Sequence, residues 1–429
     1  MKAPIVIGEL ELTEPITDIQ LPSRADSSAD NGAPYNGARL LVRLQTLPVG
    51  YVQLGSDELA APAVRARVWG ELATAINARR ARAGLAALDA LPVGGIPLAP
   101  ELTEELSDPP MVSVVVCTKD RPDSLVVVLR GLTALHYGPY EIVVVDNAPS
   151  SDATEQAVRR EFGADPRVRY VREPRPGLSS ARNCGVAEAT ADIVAFTDDD
   201  VRIDRWWLDG IVRGFRAAPD VGGVTGLIAT AEIENAEQLY FHLREQWGTD
   251  CERRVYDLAE HRDGSPLYPY SVGTIGAGAN FAISRTVIKE IGGFNEALGA
   301  GTPAGGGEDL NIFMRILLSG HSIVYEPSAI VSHVHRATLE ALSRQMRAYG
   351  SGCTAALTAI VLDSPRARRE LPPKVIQGVR HMVHRSSGVR DTPTLPSGLL
   401  RREAGGLIIG PWLYLKGRRS LRRFGEIRR

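Results

Sequence analysis

Cysteine, lysine and long apolar runs are all scarce in this chain of 429 residues. Its four cysteines (Cys117, Cys184, Cys251 and Cys353) lie far apart and form no Cys-x-x-Cys pair, which argues against a disulfide or zinc framework. A reducing cytoplasm is the matching compartment. No apolar stretch approaches the ~20 residues that span a bilayer, and Met1-Lys2-Ala3-Pro4-Ile5 lacks the sustained apolar run of a signal peptide. Neither a Gly-x-Gly-x-x-Gly nor a Gly-x-x-x-x-Gly-Lys-[Ser/Thr] fingerprint follows the first strong strand, so the dinucleotide-fold and P-loop readings find no support. At 44% hydrophobic and 23% charged residues the chain is neither disordered nor fibrous. Its length suits two or three domains of ~150 residues.

Charge is the first thing present in an uneven way. The formal net charge is −2, yet from Arg366 onward 16 basic residues face 4 acidic ones, a charge of +12. The preceding part carries 33 basic and 47 acidic residues, or −14. An acidic body with a basic tail points to an acidic surface as partner.

Hydrophobic periodicity divides the chain into four parts. Residues 1–37 read as a flexible leader, rich from 16 to 37 in Ser, Asp, Asn, Gly and Pro. Residues 38–109 read as a small accessory α+β region and linker, with strands at Arg39–Leu44 and Gly50–Leu54. Val64, Val68, Trp69, Leu72 and Ile76 recur at helical spacing, which predicts a helix from Pro62 to about Arg82. No catalytic constellation is visible there, so the region reads as a packing domain. Residues 110–336 carry short β-branched runs (111–116, 141–146, 168–172, 193–197) alternating with helical patterns, the βαβ signature of a sheet covered on both faces. Residues 337–429 read as helical with a basic tail.

An open α/β sheet binds ligands at the carboxyl ends of its strands, and polar clusters stand at three such ends: Thr118 to Arg121, Asp146-Asn147, and Asp198-Asp199-Asp200. Asp198 and Asp200, on alternate positions, could reach one hard cation that prefers oxygen ligands. The other reading of the triple aspartate is a solvated turn before the next helix. Pro176 to Asn183 precedes a helix, where backbone amides and Arg182 could meet an anion, or where Ser179 or Ser180 simply caps it.

Further along, Gly273 to Ile283 is a glycine-rich segment running into a strand, which would let a ligand approach the backbone. Leu298 to Gly307 is richer still in glycine and ends at Glu308-Asp309, where a helix starts. Those carboxylates either favour the helix dipole or include a base presented behind a mobile loop. His333 and His335 follow an apolar run and, on a strand, would face one side. Trp247, Tyr256, Tyr268 and Tyr270 are either platforms for an acceptor or core residues of an insertion.

Taken in order over residues 111 to about 336, these segments resemble the inverting family-2 glycosyltransferases of the GT-A fold. The matching pieces are Val112–Thr118 with Arg121, Val144–Asn147, Gly177–Ser179 with Ala181–Asn183, Phe196–Asp200, Gly276–Asn280, Gly307–Asp309, and Pro327 ahead of His333. The resemblance implies a Rossmann-like open sheet of GT-A type and transfer of a sugar from a nucleoside diphosphate donor, with a divalent cation, Mn²⁺ or Mg²⁺, as cofactor. It implies that Thr118, Arg121 and Asp146 line the nucleoside pocket, with Gly177, Arg182, Asn183, Asp198, Asp199, Gly278 and Asn280 also on the donor. Asp198 and Asp200 would hold the cation, with His333 as a further ligand; whether His335 joins is open. Asp309 would be the general base and Glu308 would orient the acceptor.

Two other classes share some of these features. A sugar-phosphate nucleotidyltransferase would carry a glycine-rich basic loop after its first strand, whereas Cys117-Thr118-Lys119-Asp120-Arg121 has no glycine. A non-catalytic nucleotide-sugar or glycan-binding protein would dispense with Asp309 or the aspartate pair. The acceptor is a glycan, a lipid-linked molecule or a small molecule, and no motif points to nucleic acid. Near the end of the chain, apolar Gly405–Leu415 is followed by Lys416, Arg418, Arg419, Arg422 and Arg423. This pattern suits an interfacial contact with an anionic membrane, a helix packed on the acidic body, or a loose tail. The expected location is cytoplasmic, with peripheral attachment to the inner face of the membrane as one outcome.

Overall fold

The computed structural model describes residues 2–23, 34–102, 106–245, 249–374 and 398–423, with the side chains of 422 and 423 left aside. Trp247 and much of the basic tail therefore lie outside the described residues.

The N-terminal unit is a three-stranded sheet with a helix on one face. Strand β1 (Val6–Glu11) pairs in parallel with β2 (Gly37–Leu44), and β3 (Leu47–Gly55) pairs antiparallel on the other side of β2. Helix α1 (Ala61–Arg82) buries Val64, Val68, Leu72 and Ile76, spaced four apart, against Leu40, Val42, Val52 and Leu54. Because strand residues alternate between faces, Arg39, Leu41 and Arg43 are left on the opposite face. Leu41 packs there with Leu227, Ala229, Tyr325 and Ile330 of the main body. Arg43 is buried and donates to Asp204 Oδ2 at 2.7 Å and Glu9 Oε1 at 2.9 Å.

This corrects the reading of residues 1–37 as a leader, since β1 is built into the sheet. The leader reading rested on the Ser, Asp, Asn, Gly and Pro of residues 16–37, of which 24–33 lie outside the described residues. In the fold Glu9 receives Arg43, and Glu11 accepts from the backbone amides of Gln45 and Thr46 at 3.0 Å each. Ile5 and Leu12, on either side, are buried.

The main body is an open α/β sheet in the order β10-β12-β9-β11-β7-β4-β5-β6, with β10 (Arg254–Tyr256) at one edge and the short β8 (Val201–Ile203) paired to β12. Strands β4 (Val112–Thr118), β5 (Tyr140–Asn147), β6 (Val168–Glu173) and β7 (Ile193–Thr197) are parallel. Helices α2 (Pro122–Thr133), α3 (Ala153–Phe162) and α4 (Leu178–Glu188) connect them. The chain steps outward from β4 to β5 to β6, then returns to the other side of β4 for β7. Adjacent strands leave the sheet edge in opposite senses at that switch point and open a crevice.

The second half of the sheet is mixed. Strand β11 (Asn280–Ser284) runs antiparallel to β7 and to β9 (Val221–Thr230), so its first residue meets the last of β7: Asn280 is opposite Thr197. Strand β12 (Ser322–His333) runs parallel to β9, with His333 opposite Thr230. The carboxyl ends of β4, β5, β7, β9 and β12 and the amino end of β11 thus share one edge. Helix α5 (Trp207–Phe215) and α2 cover one face, and α4 and α8 (Glu308–Leu318) the other. The valines of β4 divide accordingly, Val114 and Val116 into one core and Val115 into the other.

After β12 come two long helices, α9 (Leu339–Asp363) and α10 (Gly398–Arg423), packed along each other. Helix α9 buries Leu342 and Met346 near its start and Ala355, Ala356, Ala359 and Ile360 further along. No helix of the described residues is long and apolar enough to cross a membrane.

Removing one member of a buried ion pair leaves the other charge uncompensated, at about 3–5 kcal/mol. Arg43→Ala is therefore expected to lower the denaturation midpoint clearly, and Arg43→Lys to restore part of it. An unchanged midpoint would mean that Leu41 and its apolar neighbours hold the N-terminal unit by themselves.

Candidate active site

At the shared strand edge lies a cavity of about 1290 Å³. Its floor is the end of β4 (Thr118, Lys119, Arg121), the turn after β7 (Asp198 to Asp200) and the loop into β11 (Gly276 to Ala279). The walls come from outside the sheet. Ile7, Glu9, Arg39 and Tyr51 of the N-terminal unit form one, and Gln345, Tyr349 and Cys353 of α9 with Glu403 of α10 form another.

The three aspartates divide their work. Asp199 is buried and already satisfied, accepting from Thr118 Oγ1 at 2.7 Å and Arg121 Nη1 at 2.8 Å. Ser124 Oγ donates to its backbone carbonyl. Held in this way, Asp199 directs its two neighbours into the cavity. Asp198, Asp200 and His333 each offer one ligand atom, and these atoms all lie within 4.8 Å of one another. Burial pushes the Asp198 carboxyl up to about 7; Asp200, Asp199 and Glu308 add to the rise and Arg182 opposes it.

Burial holds His333 below its usual value, so the ring is neutral and keeps a lone pair. Its Nε2 faces Asp200 Oδ1 at 3.4 Å, and its buried Nδ1 has no hydrogen-bond partner. Two carboxylates that repel each other beside a neutral imidazole form a donor set that fits a divalent cation such as Mn²⁺ or Mg²⁺.

Arg182 connects this cluster to the opposite side of the cavity. It is 2% exposed and stacked near Phe281 and Phe294, with its guanidinium carbon 5.2 and 5.7 Å from the ring centroids. One nitrogen, Nη1, donates to Glu308 Oε1 at 3.0 Å. The other, Nη2, lies 3.5 Å from Asp198 Oδ1 and donates to the Gly278 carbonyl at 2.9 Å. The amide of the same Gly278 donates to Asp309 Oδ2 at 2.9 Å. Burial, and after it Asp309 next door, raises the Glu308 carboxyl, with Arg182 opposing.

Glu308 and Asp309 open α8. Just ahead of them Gly307 sits at φ +86°, where a Cβ would come 2.2 Å from the Gly352 carbonyl oxygen. Only glycine fits this approach to α9, and it turns Asp309 toward the cavity.

Not every residue assigned to the donor pocket reaches the cavity. Thr118, Arg121, Gly177, Arg182, Asp198, Asp199 and Gly278 line it; Asp146, Asn183 and Asn280 do not. Asp146 is fully buried and accepts from Tyr170 Oη at 2.8 Å, while its neighbour Asn147 lines the wall. Asn183 bonds both the amide and the carbonyl of Phe294, at 2.8 and 3.0 Å, and so fixes the loop before α8. Asn280 accepts from Trp207 Nε1 at 2.8 Å and donates to the carbonyls of Leu227 and Ala329. The register of β12 slips between Glu326 and Ile330, and the Asn280 amide satisfies carbonyls on both sides of that irregularity.

His335 turns away from the aspartates: its Nε2 lies 3.1 Å from Thr230 Oγ1, which also meets His242 Nδ1 at 2.7 Å. Tyr268 and Tyr270 are core residues and Tyr256 packs against the core. Sequence reasoning missed Arg336, whose Nη1 is 3.3 Å from Asp200 Oδ2, and Arg39, which stacks over Tyr51 at 4.3 Å on the N-terminal wall. Arg336 adjoins His335, so a basic residue next to paired histidines was the available signal.

Residues 113–292 match the model of Glycosyl transferase family 2, and this stretch of the chain is a domain of that family. The chain is 28% identical over 244 residues to a pre-mycofactocin glycosyltransferase of Mycobacterium tuberculosis, covering 56% of this chain and 46% of the relative. It thus spans about half the length of that protein. It is 29% identical over 254 residues to the succinoglycan biosynthesis protein ExoM of Rhizobium meliloti, covering 57% and 73% of the two chains. Among solved structures, a mannosyltransferase from Pyrobaculum calidifontis in complex with GDP-Man and Mn²⁺ aligns at a TM-score of 0.45 and 18% identity, covering 74% and 88%.

The His242–Thr230–His335 group gives the cavity a pH signature. Burial holds His242 down at about 4, against 6.5 for the free side chain. As pH falls from 6.5 toward 4 the unfolded chain takes up that proton and the folded one does not, so stability falls across this window. His242→Gln is expected to make the acid limb of a melting-temperature profile shallower. Profiles that run parallel in the two proteins would contradict it.

Proposed function

We propose that the chain is a metal-dependent inverting glycosyltransferase that moves a sugar from a nucleoside diphosphate donor to an acceptor hydroxyl. The observation that carries this reading is the convergence, in one cavity, of a divalent-cation donor set (Asp198, Asp200, His333) and a helix-start carboxylate (Asp309), joined through Arg182 and Gly278. The family-2 domain over residues 113–292 supports it.

Each group has a task in that chemistry. Asp198, Asp200 and His333 would hold a divalent cation, which when bound would supply Lewis acidity for a diphosphate leaving group. Lys119, Arg121 and Arg336 place positive charge around the same position. Asp309 accepts the proton of the acceptor hydroxyl while the acceptor oxygen bonds to the anomeric carbon and the carbon–phosphate oxygen bond breaks, which inverts the configuration. Gly278 N–H fixes one oxygen of Asp309, and the Leu310 amide holds the other at 2.8 Å. Glu308 acts through Arg182, keeping the guanidinium between the metal edge and the base. A single displacement needs no side-chain nucleophile, and Asp309 is the lining carboxylate that the Gly278 amide orients beside the Asp198–Arg182 edge. The donor enters at the β4 and β7 ends, leaving the α6 (Ala236–Arg244), α9 and α10 side for a glycan, lipid-linked or small-molecule acceptor. The expected setting is the cytoplasm, at or near the inner face of the membrane.

Asp309→Asn is expected to retain metal-dependent nucleotide binding and to lower transfer by ~10²–10⁴. Asp200→Ala is expected to weaken nucleotide binding only when metal is present. Near-normal turnover in Asp309→Asn, measured as nucleoside diphosphate release, would remove Asp309 from the base role.

A further inference from the structure

Helix α10 has two unlike faces. Its inner face is a small-residue seam: Gly406, Gly410, Tyr414 and Gly417 are buried at spacings of four, four and three. A Cβ on Gly406 would lie 2.3 Å from the carbonyl oxygen of Arg347, so α9 and α10 approach closely there. Thr354 Oγ1 donates to the Leu407 carbonyl at 2.9 Å. At the cavity end, Glu403 takes Arg244 at 2.6 Å and lines the wall.

The outer face, about half a turn away, is exposed and apolar at its centre. Ile408 is 80% exposed and Trp412 60%, and Leu400, Leu407 and Leu415 are exposed beside them. Five of the twelve large exposed hydrophobics among the described residues are therefore on this one helix. Scattered singly they would need no explanation, but Ile408, Trp412 and Leu415 fall within about 60° of one another round the helix, with Leu400 and Leu407 on its flank, and such a group marks an interaction surface. Arg401 and Arg402 flank the stripe at one end and Lys416 and Arg419 at the other, all exposed. Glu403, on the inner side, is the helix's lone carboxylate in 398–423.

We propose that this face of α10 binds the surface of an anionic lipid bilayer, lying in the interface with Ile408, Trp412 and Leu415 among the acyl chains and the basic residues on lipid phosphates. Charge decides the occupant. A second copy of the helix, laid parallel or antiparallel, would set basic residues against basic residues at both ends, whereas an anionic bilayer meets both ends with the opposite sign. Trp412, with Lys416 Nζ 5.4 Å over its ring, is suited to the boundary between headgroup and hydrocarbon. Because Glu403 of the same helix lines the cavity, the bilayer would lie about one helix diameter, ~10 Å, from the acceptor side. Only the corollary that the acceptor is presented at the membrane rests on the glycosyltransferase reading; lipid binding does not.

The test is flotation of the full-length protein with phosphatidylcholine vesicles containing about 30% phosphatidylglycerol, against pure phosphatidylcholine. The expected result is co-flotation with the anionic vesicles that weakens at about 0.5 M salt. Ile408→Glu with Trp412→Glu should reduce it by about tenfold or more, while melting temperature and nucleotide binding stay unchanged. No flotation with anionic vesicles, or equal flotation of the double variant, would overturn the proposal. So would a concentration-dependent dimer that the double variant abolishes, or retention on an anionic polymer such as heparin with no lipid binding. Vesicle binding needs no sugar transfer, so either reading can fail while the other stands.

Discussion

The contact on which the site depends is made by a buried cation. Arg182 enters the core on α4 and is held between Phe281 and Phe294, with Glu308 on one side, Asp198 on the other and the Gly278 carbonyl between. A buried guanidinium without these partners would cost several kcal/mol. The need to satisfy it fixes the relative positions of three separate segments: the turn after β7, the loop into β11 and the start of α8. Those segments carry the candidate metal ligands, a backbone amide aimed at Asp309, and the candidate base.

The remainder of the cavity is added to that core. An open sheet with a switch point beside β4 provides a crevice, but a shallow one. The N-terminal unit, anchored by Arg43 on Asp204, raises one wall, and α9 and α10 raise another. The strand-end side of the cavity is thus built largely from the stretch that matches family 2, and the opposite side largely from elements outside it.

Much of this was legible in the sequence for a physical reason. Buried parallel strands must be continuously apolar, so the polar residues at their ends stand out, and Thr118 to Arg121, Asp146-Asn147 and Asp198 to Asp200 could each be assigned to one sheet edge, while Glu308-Asp309 stood out as a helix start behind a glycine-rich loop. What was not legible depends on partners far along the chain. Asn280 and Asn183 look like ligand residues because they flank glycines and an arginine, yet their amides serve backbone groups around a strand irregularity and a loop about 50 to 110 residues away. Strand β1 has its apolar pattern interrupted by Glu9 and Glu11, and only the fold brings Arg43 and the Gln45–Thr46 amides to them. The wall contributed by Arg39 and Tyr51 carries no catalytic motif at all.

The most direct test of the central claim, a cation-dependent nucleotide site at the Asp198–Asp200–His333 edge, is a thermal-shift screen of the full-length protein. Nucleoside diphosphates and their sugars would be compared with and without Mn²⁺. A cation site bridging protein and diphosphate predicts stabilisation by one nucleotide that needs the metal and is lost in Asp200→Ala. No shift with any nucleotide, or the same shift without metal, would contradict it.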